Sequence, residues 1–207
     1  MRAEFTLAGL QRKNLVDNAF KQFEKWFIEA KDCKLTEPNA MTLATVSKEG
    51  QPTVRTVLLK YFDTDGFIFY TNYESQKAKD MAGNPKVALL FPWLDLQRQV
   101  KIIGKVEKVS TAQSLRYFLS RPRGSRIGAW ASSQSSVVSS RSLLQAKFEE
   151  IKTKFQDKDI PIPSFWGGYR VIPQQIEFWQ GRKNRLHDRF RYTLQNEGQW
   201  TIERLAP

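Results

Sequence analysis

Residues 53–71 read TVRTVLLKYFDTDGFIFYT, which is two strand-like segments separated by a turn-like one. Its two ends, Thr53–Tyr61 and Phe67–Thr71, are rich in β-branched and aromatic residues, as is typical of strands. Between them, Asp63-Thr-Asp-Gly66 predicts a tight turn, with glycine where a positive φ angle is needed. The stretch therefore predicts a β-hairpin.

Further strand patterns lie on both sides of this hairpin. The predicted strands are Met41–Ser47, Lys86–Trp93, Arg98–Val109, Tyr169–Val171, Ile176–Trp179, Arg189–Thr193 and Trp200–Arg204. The predicted helices are Asn18–Lys31, a short helix capped by Ser75 that ends near Gly83, Thr111–Ser120, Ile127–Ala131 and Arg141–Phe155. Strands this closely spaced favour an antiparallel barrel over βαβ units. We expect a mainly β protein with flanking helices, an α+β arrangement.

The composition is that of a globular chain. It has 207 residues, of which 41% are hydrophobic and 13% aromatic. This length suffices for one well-buried domain or two small ones, and the composition excludes extensive disorder. No apolar run approaches the ~20 residues that span a bilayer, and Met1-Arg-Ala-Glu-Phe5 lacks a hydrophobic signal core. We expect a cytoplasmic protein with no membrane partner.

Cysteine and histidine each occur once, as Cys33 and His187. One cysteine excludes an intramolecular disulfide, and one of each excludes a Cys/His zinc site. Cys33 is either a catalytic thiol or an incidental one, and its position near a helix end favours the incidental thiol. A carboxylate-only metal site has no motif behind it, so we expect no metal.

The net charge of +12 favours phosphorylated or polyanionic partners. Three arginines lie within Arg121–Arg126, and five basic residues lie within Arg182–Arg191. Nucleic acid is an alternative partner, although no recognised nucleic-acid motif is present. Dinucleotide-binding, P-loop and serine-hydrolase glycine motifs are also missing, which argues against those enzyme classes.

Two candidate anion sites lie in the β-rich half. Arg55 and Lys60 bound an apolar strand, and strand alternation places them on opposite faces unless a bulge intervenes. The segment Tyr70-Thr-Asn72, followed by Ser75-Gln-Lys77, predicts a helix N-terminus beside a cation, which suits a phosphate. Solvated strand-end charges and an ordinary capped helix are the alternatives.

Two more candidates follow in the second half. Tyr117 and Arg121 share a helix face if the helix persists that far, and Ser125 lies just beyond, so the three together suit a phosphate ester. If extended, the segment Arg185-Leu-His187-Asp-Arg189 points two guanidinium groups and the only imidazole to one side. A solvated basic turn and a structural histidine are the alternatives.

These motifs, in this order, resemble the pyridoxine (pyridoxamine) 5′-phosphate oxidase family over nearly the whole chain. The most specific stretches are Arg55–Lys60, Phe69–Asn72, Arg98–Val100 with Ile103-Gly104, Ser120–Ser125, Ser164–Gly168, and Ile176–Gly181 leading to Arg185–Arg189. The resemblance implies an FMN-binding split β-barrel, a single domain over 1–207 with 1–16 as a flexible arm, and a homodimer with FMN at the interface.

The resemblance also implies functional residues. Those implied to bind FMN are Arg55, Thr56, Val57, Leu58, Leu59, Lys60, Tyr70, Thr71, Gln76, Lys77, Gln99, Gln134, Ser135, Trp179 and Arg189. Those implied to bind substrate are Lys60, Tyr117, Arg121, Ser125, Arg185, Leu186, His187 and Arg2, with Arg185 and His187 catalytic.

The implied reaction oxidises pyridoxamine or pyridoxine 5′-phosphate to pyridoxal 5′-phosphate in vitamin B6 biosynthesis or salvage. A hydride moves from C4′ of the substrate to N5 of the flavin, and O₂ reoxidises the flavin to give H₂O₂. Three alternatives are a flavin or deazaflavin reductase on the same barrel, a nucleic-acid-binding module, and a non-catalytic carrier of pyridoxal phosphate.

Two positions depart from the family pattern. Gln76 stands where the family usually has arginine before the FMN lysine. Glutamine keeps a hydrogen-bond donor but lacks the charge, so either FMN binds more weakly or another cation compensates. In the N-terminal segment, which resembles one that closes over substrate in some members, Phe5 replaces a tyrosine and removes a hydroxyl group.

Overall fold

The computed structural model describes residues 7 and 9–207, apart from the side chain of Glu197. Within them, the helices are α1 (Ala19–Asp32), α2 (Gln76–Gly83), α3 (Thr111–Ser120), α4 (Arg123–Ala131) and α5 (Arg141–Lys154). The strands are β1 (Ala40–Val46), β2 (Pro52–Leu58), β3 (Tyr61–Asp63), β4 (Gly66–Asn72), β5 (Lys86–Trp93), β6 (Arg98–Lys108), β7 (Trp166–Gln180), β8 (Asp188–Leu194) and β9 (Trp200–Leu205). The chain is therefore mainly β with flanking helices, as predicted.

One antiparallel sheet contains all nine of these strands. Its main path runs β2-β1-β5-β6-β7-β4-β3, and β8 pairs with β7 and β9. Strands β2 and β3 belong to one stretch of chain that breaks at Leu59 and Lys60. The Leu59 N–H donates to Asn39 O beside β1 (2.8 Å), whereas the Lys60 N–H donates to Ile68 O on β4 (2.9 Å). The sheet therefore curls into a barrel whose two ends meet in this stretch.

This break corrects the prediction of one continuous strand over Thr53–Tyr61. The hairpin turn that follows is confirmed. The Asp63 Oδ1 atom accepts hydrogen bonds from the backbone N–H groups of Asp65 (2.9 Å) and Gly66 (3.1 Å). Gly66 has a φ angle of +146°, and a Cβ atom there would lie 2.2 Å from Val171 O. Only glycine fits this turn without rearrangement.

Strand β7 is a second correction, because it joins the two predicted strands Tyr169–Val171 and Ile176–Trp179. It pairs with β6 along its length, while its opposite edge pairs first with β4 and then with β8. The register with β6 shifts at Ile103/Gly104, so the long strand carries an irregularity where it changes partner. A Cβ atom at Gly104 would lie 2.1 Å from Ile172 O.

Helix α1 covers the sheet with an aromatic face. The Asn18 side chain caps it by accepting hydrogen bonds from the N–H groups of Phe20 and Lys21. Phe23 is fully buried, and its ring centroid lies 4.9 Å from that of Phe67 and 5.0 Å from that of Phe91. These contacts join the helix to the interior of the barrel.

Helices α3, α4 and α5 enclose a second, smaller core against the start of β7. Its buried members are Phe118, Ile127, Ala131, Ile151, Phe155, Ile160 and Trp166. Helix α4 begins at Arg123 rather than near Ile127, and β7 begins at Trp166 rather than at Tyr169. On α5, Ile151 is buried, whereas Leu144 is 37% exposed. None of the described helices is long and apolar enough to cross a membrane.

Candidate functional site

A cavity of about 810 Å³ lies where the barrel closes, between β2, β4 and the second core. The predicted site residues that line it are Arg55, Thr56, Val57, Leu58, Lys60, Tyr70, Thr71, Lys77, Tyr117, Arg121, Ser125 and Gln134. Asn72, from the predicted anion-site segment Tyr70-Thr-Asn72, also lines it, and the lining residues not predicted as ligand contacts are Pro122, Gly128, Ala129, Ser132 and Trp166. Four separate parts of the chain, within 55–60, 70–77, 117–134 and at Trp166, thus converge on one space.

The charged side chains that line this cavity are all cationic among the described residues. Arg55, Lys60, Lys77 and Arg121 line it, and no aspartate or glutamate does so among the described residues. Four cations around one space repel each other unless an anion enters, so this lining is suited to a ligand with negative groups.

Arg55 and Lys60 reach the same cavity because of the break in the strand. Simple alternation would put them on opposite faces. The chain changes its pairing partner between Leu59 and Lys60, and both cations line the cavity as a result. Leu59 itself packs into the barrel core with 4% exposure and does not line the cavity.

Lys77, on the first turn of α2, is buried with 9% exposure. Its Nζ atom lies 3.0 Å from Gln134 Oε1, 3.3 Å from Thr71 Oγ1 and 3.3 Å from Ser75 Oγ. All three partners are neutral. Burial lowers the pKa of Lys77, and the charge of Arg55 lowers it further. A buried ammonium group without a carboxylate partner is a natural contact for a phosphate.

The Ser75 side chain does not cap α2 as predicted, although Ser75 is the N-cap residue. Its hydroxyl donates to Asn72 O instead (2.8 Å). In the first turn of the helix, the Gln76 N–H donates to Ser135 Oγ (3.2 Å). Gln76 and Ser135 thus adjoin the cavity without lining it.

Arg55 is held against the barrel wall. Its guanidinium group donates to Leu43 O (3.1 Å), Thr45 Oγ1 (2.7 Å) and Thr53 Oγ1 (2.5 Å). Burial lowers the pKa of Arg55, and the charge of Asp80 opposes that shift. Asp80 is itself buried. The Gln76 side chain donates to its Oδ1 atom (2.8 Å), so the glutamine is directed to this carboxylate.

A second group of cavity residues comes from α3 and α4. Helix α3 ends at Ser120, so Arg121 lies just beyond it rather than on its face. Tyr117, Arg121 and Ser125 nevertheless all line the cavity. The Nη1 atom of Arg121 is buried and has no hydrogen-bond partner among the described residues. Burial lowers the pKa of Arg121, against an opposing effect of Tyr117.

The remaining predicted residues lie elsewhere on the chain, in what we call the β7–β8 patch. Its members are Gln99, Trp179, Arg185, Leu186, His187 and Arg189, none of which lines the cavity. Gln99 pairs with Trp179, which pairs with Arg189, so these three lie side by side across β6, β7 and β8. One copy of the chain therefore presents two separate groups of predicted site residues.

From the sequence, an extended conformation is considered for Arg185–Arg189, but the part of this segment before β8 is not extended. Arg185 lies in a short turn with a φ angle of +60°, and the strand begins only at Asp188. The backbone N–H of Arg182 donates to His187 Nδ1 (3.1 Å). A neutral His187 therefore carries its proton on Nε2. The His187 ring lies 4.6 Å from the Trp179 ring.

Arg189 is anchored by its neighbours in the patch. Its Nε atom donates to Glu177 Oε1 (2.8 Å), and its Nη1 atom donates to Ala206 O (2.9 Å). Glu177 also pairs with Lys101 (2.5 Å). Arg2 and Phe5, named from the sequence, lie outside the described residues.

The curled barrel, with its cationic cavity beside the strands where the barrel closes, places the chain in the class of split-barrel proteins. PhzG from Burkholderia lata 383, solved with tetrahydrophenazine-1-carboxylic acid, superposes with a TM-score of 0.91 at 24% identity, over 99% of this chain and 100% of that one. A pyridoxamine 5′-phosphate oxidase-related, FMN-binding protein from Nostoc punctiforme PCC 73102 gives a TM-score of 0.73 at 15% identity, over 93% and 100% of the two chains.

Sequence comparison narrows the class to a family. Residues 27–155 match the profile for pyridoxamine 5′-phosphate oxidase, and residues 166–207 match the profile for the pyridoxine 5′-phosphate oxidase C-terminal dimerisation region. The pyridoxine/pyridoxamine 5′-phosphate oxidase of Crocosphaera subtropica (strain ATCC 51142 / BH68) is 65% identical, over 100% of this chain and 98% of that protein. That of Escherichia coli (strain SMS-3-5 / SECEC) is 53% identical, over 100% and 94%. The chain belongs to the pyridoxine/pyridoxamine 5′-phosphate oxidase family.

Proposed function

We propose that this protein is an FMN-dependent oxidase that converts pyridoxamine 5′-phosphate and pyridoxine 5′-phosphate to pyridoxal 5′-phosphate. The observation that carries the proposal is the cavity with four cations and no lining carboxylate among the described residues. FMN and the substrate each bring one phosphate, so together they supply the negative charge that this cavity lacks.

The residues of the cavity fit FMN. The buried ammonium group of Lys77 has only neutral partners and lies at the start of α2, as suits a phosphate. Arg55 is held on the adjoining wall by Thr45 and Thr53. We assign the flavin phosphate to these groups, together with Gln134, which contacts both Lys77 and Thr71.

The substrate phosphate is assigned to Lys60, Tyr117, Arg121 and Ser125. The buried Nη1 atom of Arg121 has no hydrogen-bond partner in the described part of the chain, which leaves a charged donor for an incoming oxyanion. The guanidinium, phenol and hydroxyl groups come from α3, α4 and the turn between them. They would orient the ester and hold the reacting C4′ atom at one place.

FMN supplies, when bound, an acceptor for the hydride that leaves C4′ and a route for its two electrons to O₂, which becomes H₂O₂. The protein contributes orientation and charge. Arg185 would position the substrate ring. His187, with its proton held on Nε2 by the hydrogen bond at Nδ1, would donate a hydrogen bond to the reacting substituent.

The separation of the cavity from the β7–β8 patch supports a homodimer with FMN at the interface. The matched dimerisation region, residues 166–207, contains most of the patch. In a two-fold dimer the same surface serves both copies, so the patch of one protomer can complete the cavity of its partner. We further propose that the chain forms a single domain, because the pairing of β6 with β7 joins the two matched regions. The flexible arm expected for residues 1–16 lies partly outside the described residues, and within it Leu10 and Leu15 are buried in the barrel core. We also propose that the protein acts in the cytoplasm, as its one cysteine suggests.

An anaerobic absorption spectrum tests the function. The purified protein should be yellow, and pyridoxamine 5′-phosphate added without oxygen should bleach the flavin band. Admission of air should restore the band and release peroxide. A protein that neither retains nor takes up FMN would refute the proposal. Bleaching by NAD(P)H alone would favour a reductase, and binding of pyridoxal phosphate without bleaching would favour a carrier.

A pair of variants tests the role of the patch. Arg185→Ala should reduce turnover far more than FMN content, because Arg185 is assigned to the substrate. Lys183→Ala is the matched control, since Lys183 is an exposed cation on the same turn. If Arg185→Ala lowers only FMN content, the residue binds a different ligand from the one assigned.

A further inference from the structure

Trp166, the first residue of β7, lies beneath Arg121 in the cavity wall. The Arg121 guanidinium carbon lies 4.8 Å from the centroid of the Trp166 ring. Trp166 lines the cavity but is only 8% exposed. Among the described residues, no carboxylate lies within 4.0 Å of the Arg121 side-chain nitrogen atoms. The arginine therefore rests on an aromatic face instead of an ion pair.

The Trp166 ring is itself held by three other rings. It stacks with Tyr70 (5.5 Å between centroids, 9° between planes) and with Tyr117 (6.1 Å, 10°). Phe118 contacts it at a steep angle (5.2 Å, 67°). The Tyr70 and Tyr117 rings stack at 4.0 Å. This arrangement gives Trp166 one orientation, so the face that it offers to Arg121 is rigid.

An aromatic partner has a consequence that a carboxylate partner would not have. A carboxylate would neutralise the guanidinium group and occupy its N–H donors, in competition with a phosphate. A ring attracts the cation through its face and leaves the N–H groups at the guanidinium edge free to donate. The buried, unpartnered Nη1 atom of Arg121 is one such donor.

We propose that Trp166 is a positioning residue that orients Arg121 for the substrate phosphate, and that it thereby sets the preference for phosphorylated over unphosphorylated B6 vitamers. This inference rests on the proposed function, which assigns the substrate phosphate to Arg121. A tryptophan that served only to fill the core would affect phosphorylated and unphosphorylated ligands alike.

The test compares aromatic and non-aromatic side chains at position 166 in the FMN-loaded enzyme. Trp166→Leu should lower kcat/KM for pyridoxamine 5′-phosphate relative to pyridoxamine about tenfold, as expected for a desolvated cation–π contact. The loss should fall mainly on KM, since Lys60, Tyr117 and Ser125 still hold the phosphate and keep the C4′ atom in place. Trp166→Phe keeps an aromatic face and should recover most of the preference. Trp166→Met, whose flexible side chain fills the space, replaces the leucine variant if that does not fold.

Equilibrium binding gives a readout that does not depend on turnover. The Kd of pyridoxal 5′-phosphate should rise in Trp166→Leu, while the Kd of pyridoxal should change little. Phe155→Leu is the matched control, because Phe155 lies in the same core and is also 8% exposed. It should lower the stability without altering the preference for phosphate. Equal losses for both ligands in Trp166→Leu would overturn the inference.

The variant Arg121→Ala distinguishes a failure of the phosphate assignment to Arg121 from a failure of the role proposed for Trp166. If this variant keeps the wild-type preference for phosphorylated ligands, the assignment of the substrate phosphate to Arg121 is wrong, and the proposed function loses that support. If Arg121→Ala abolishes the preference and Trp166→Leu leaves it intact, only the role of Trp166 is wrong.

Discussion

The Oδ2 atom of Asp80 lies 3.8 Å from the Nη2 atom of Arg55, and the Asp80 side chain is only 1% exposed. Thr45 and Thr53 both donate hydrogen bonds to this carboxylate oxygen and both accept one from Arg55. The two threonine hydroxyl groups thus stand between the carboxylate and the cation. Helix α2 is joined through them to the strand that lines the cavity.

Asp80→Asn should lower the free energy of unfolding at neutral pH by about 1–3 kcal/mol, because it disrupts a buried, charge-assisted network. Burial alone would raise the pKa of Asp80, but hydrogen bonds from Thr45, Gln76 and Thr53 and the charge of Arg55 hold it below its usual value. The stabilisation is therefore complete above the unfolded-state pKa of about 3.9 and is lost as the pH falls through the lower folded-state pKa.

Urea denaturation between about pH 3 and pH 7 measures this effect. The difference between wild type and Asp80→Asn should shrink toward the acid end of that range. Asp157→Asn, at an exposed position, should match wild type throughout. A difference for Asp80→Asn that stays constant down to the lowest pH would contradict the network.

Lys77→Met should raise the Kd of FMN about tenfold or more, because a charge-assisted phosphate contact is worth ~1.5–3 kcal/mol. It should not lower the stability of the apoprotein, since it removes a buried cation that has only neutral partners. Quenching of FMN fluorescence gives the Kd, and urea unfolding of the apoprotein gives the stability. Lys79→Met, at an exposed position on α2, is the control and should change neither quantity.

The apoprotein should also show a pH dependence that Lys77→Met lacks. The pKa of Lys77 is lowered by burial, so between the folded and unfolded pKa values the unfolded chain binds more protons. The stability of the wild-type apoprotein should therefore rise with pH across that window. An identical slope in both proteins would show that Lys77 is not the group concerned.

Glu177→Gln should lower the free energy of unfolding by about 1–3 kcal/mol, because two cations lose their shared buried carboxylate. Burial alone would raise the pKa of Glu177, but Arg189 and Lys101 hold it below its usual value, so the loss should fade as the pH drops below about 4. Glu203→Gln breaks an exposed pair with Arg191 and should cost less than ~1 kcal/mol. Equal effects in the two variants would contradict the buried role of Glu177.

Gly104→Ala should destabilise the protein by at least ~2 kcal/mol, since the new Cβ atom would lie 2.1 Å from Ile172 O in the partner strand. Gly124→Ala is the control, because nothing lies within 4 Å of a Cβ atom there and the residue is helical. Alanine should stabilise that helix by up to ~1 kcal/mol. Thermal unfolding compares the two, and a neutral Gly104→Ala would refute the close approach.

The parts of the fold that could be predicted from sequence are those with local signals. The aromatic face of α1 repeats at helical spacing, and the turn at Asp63–Gly66 has its own chemistry. The break at Leu59 and Lys60 has no such signal, since the residues around it read as one apolar strand. It arises because the chain exchanges β1 for β4 as its pairing partner, which is a tertiary event.

The same distinction applies to the candidate site. The cations that line the cavity were named from motifs, whereas Trp166 was not recognised as a partner of Arg121, which lies 45 residues earlier in the chain. Trp166 lies in Ser164–Gly168, one of the stretches that carry the family resemblance, but that stretch gave no sign of a contact with Arg121, because aromatic residues at the start of a strand are common in cores. The separation of the β7–β8 patch from the cavity could not be predicted either, since motifs in one chain do not show how a second copy would be placed against it.

The break in strand pairing at Leu59 and Lys60 couples hydrogen exchange of the backbone to ligand binding in the cavity. These two amides bond to opposite neighbours, one beside β1 and the other on β4. An opening of the barrel there would release both amides and displace Lys60 from the cavity at once. A ligand bound by Lys60 stabilises the closed barrel, so it slows hydrogen exchange of both amides. Local opening of the barrel at this break and dissociation of the ligand are therefore thermodynamically coupled.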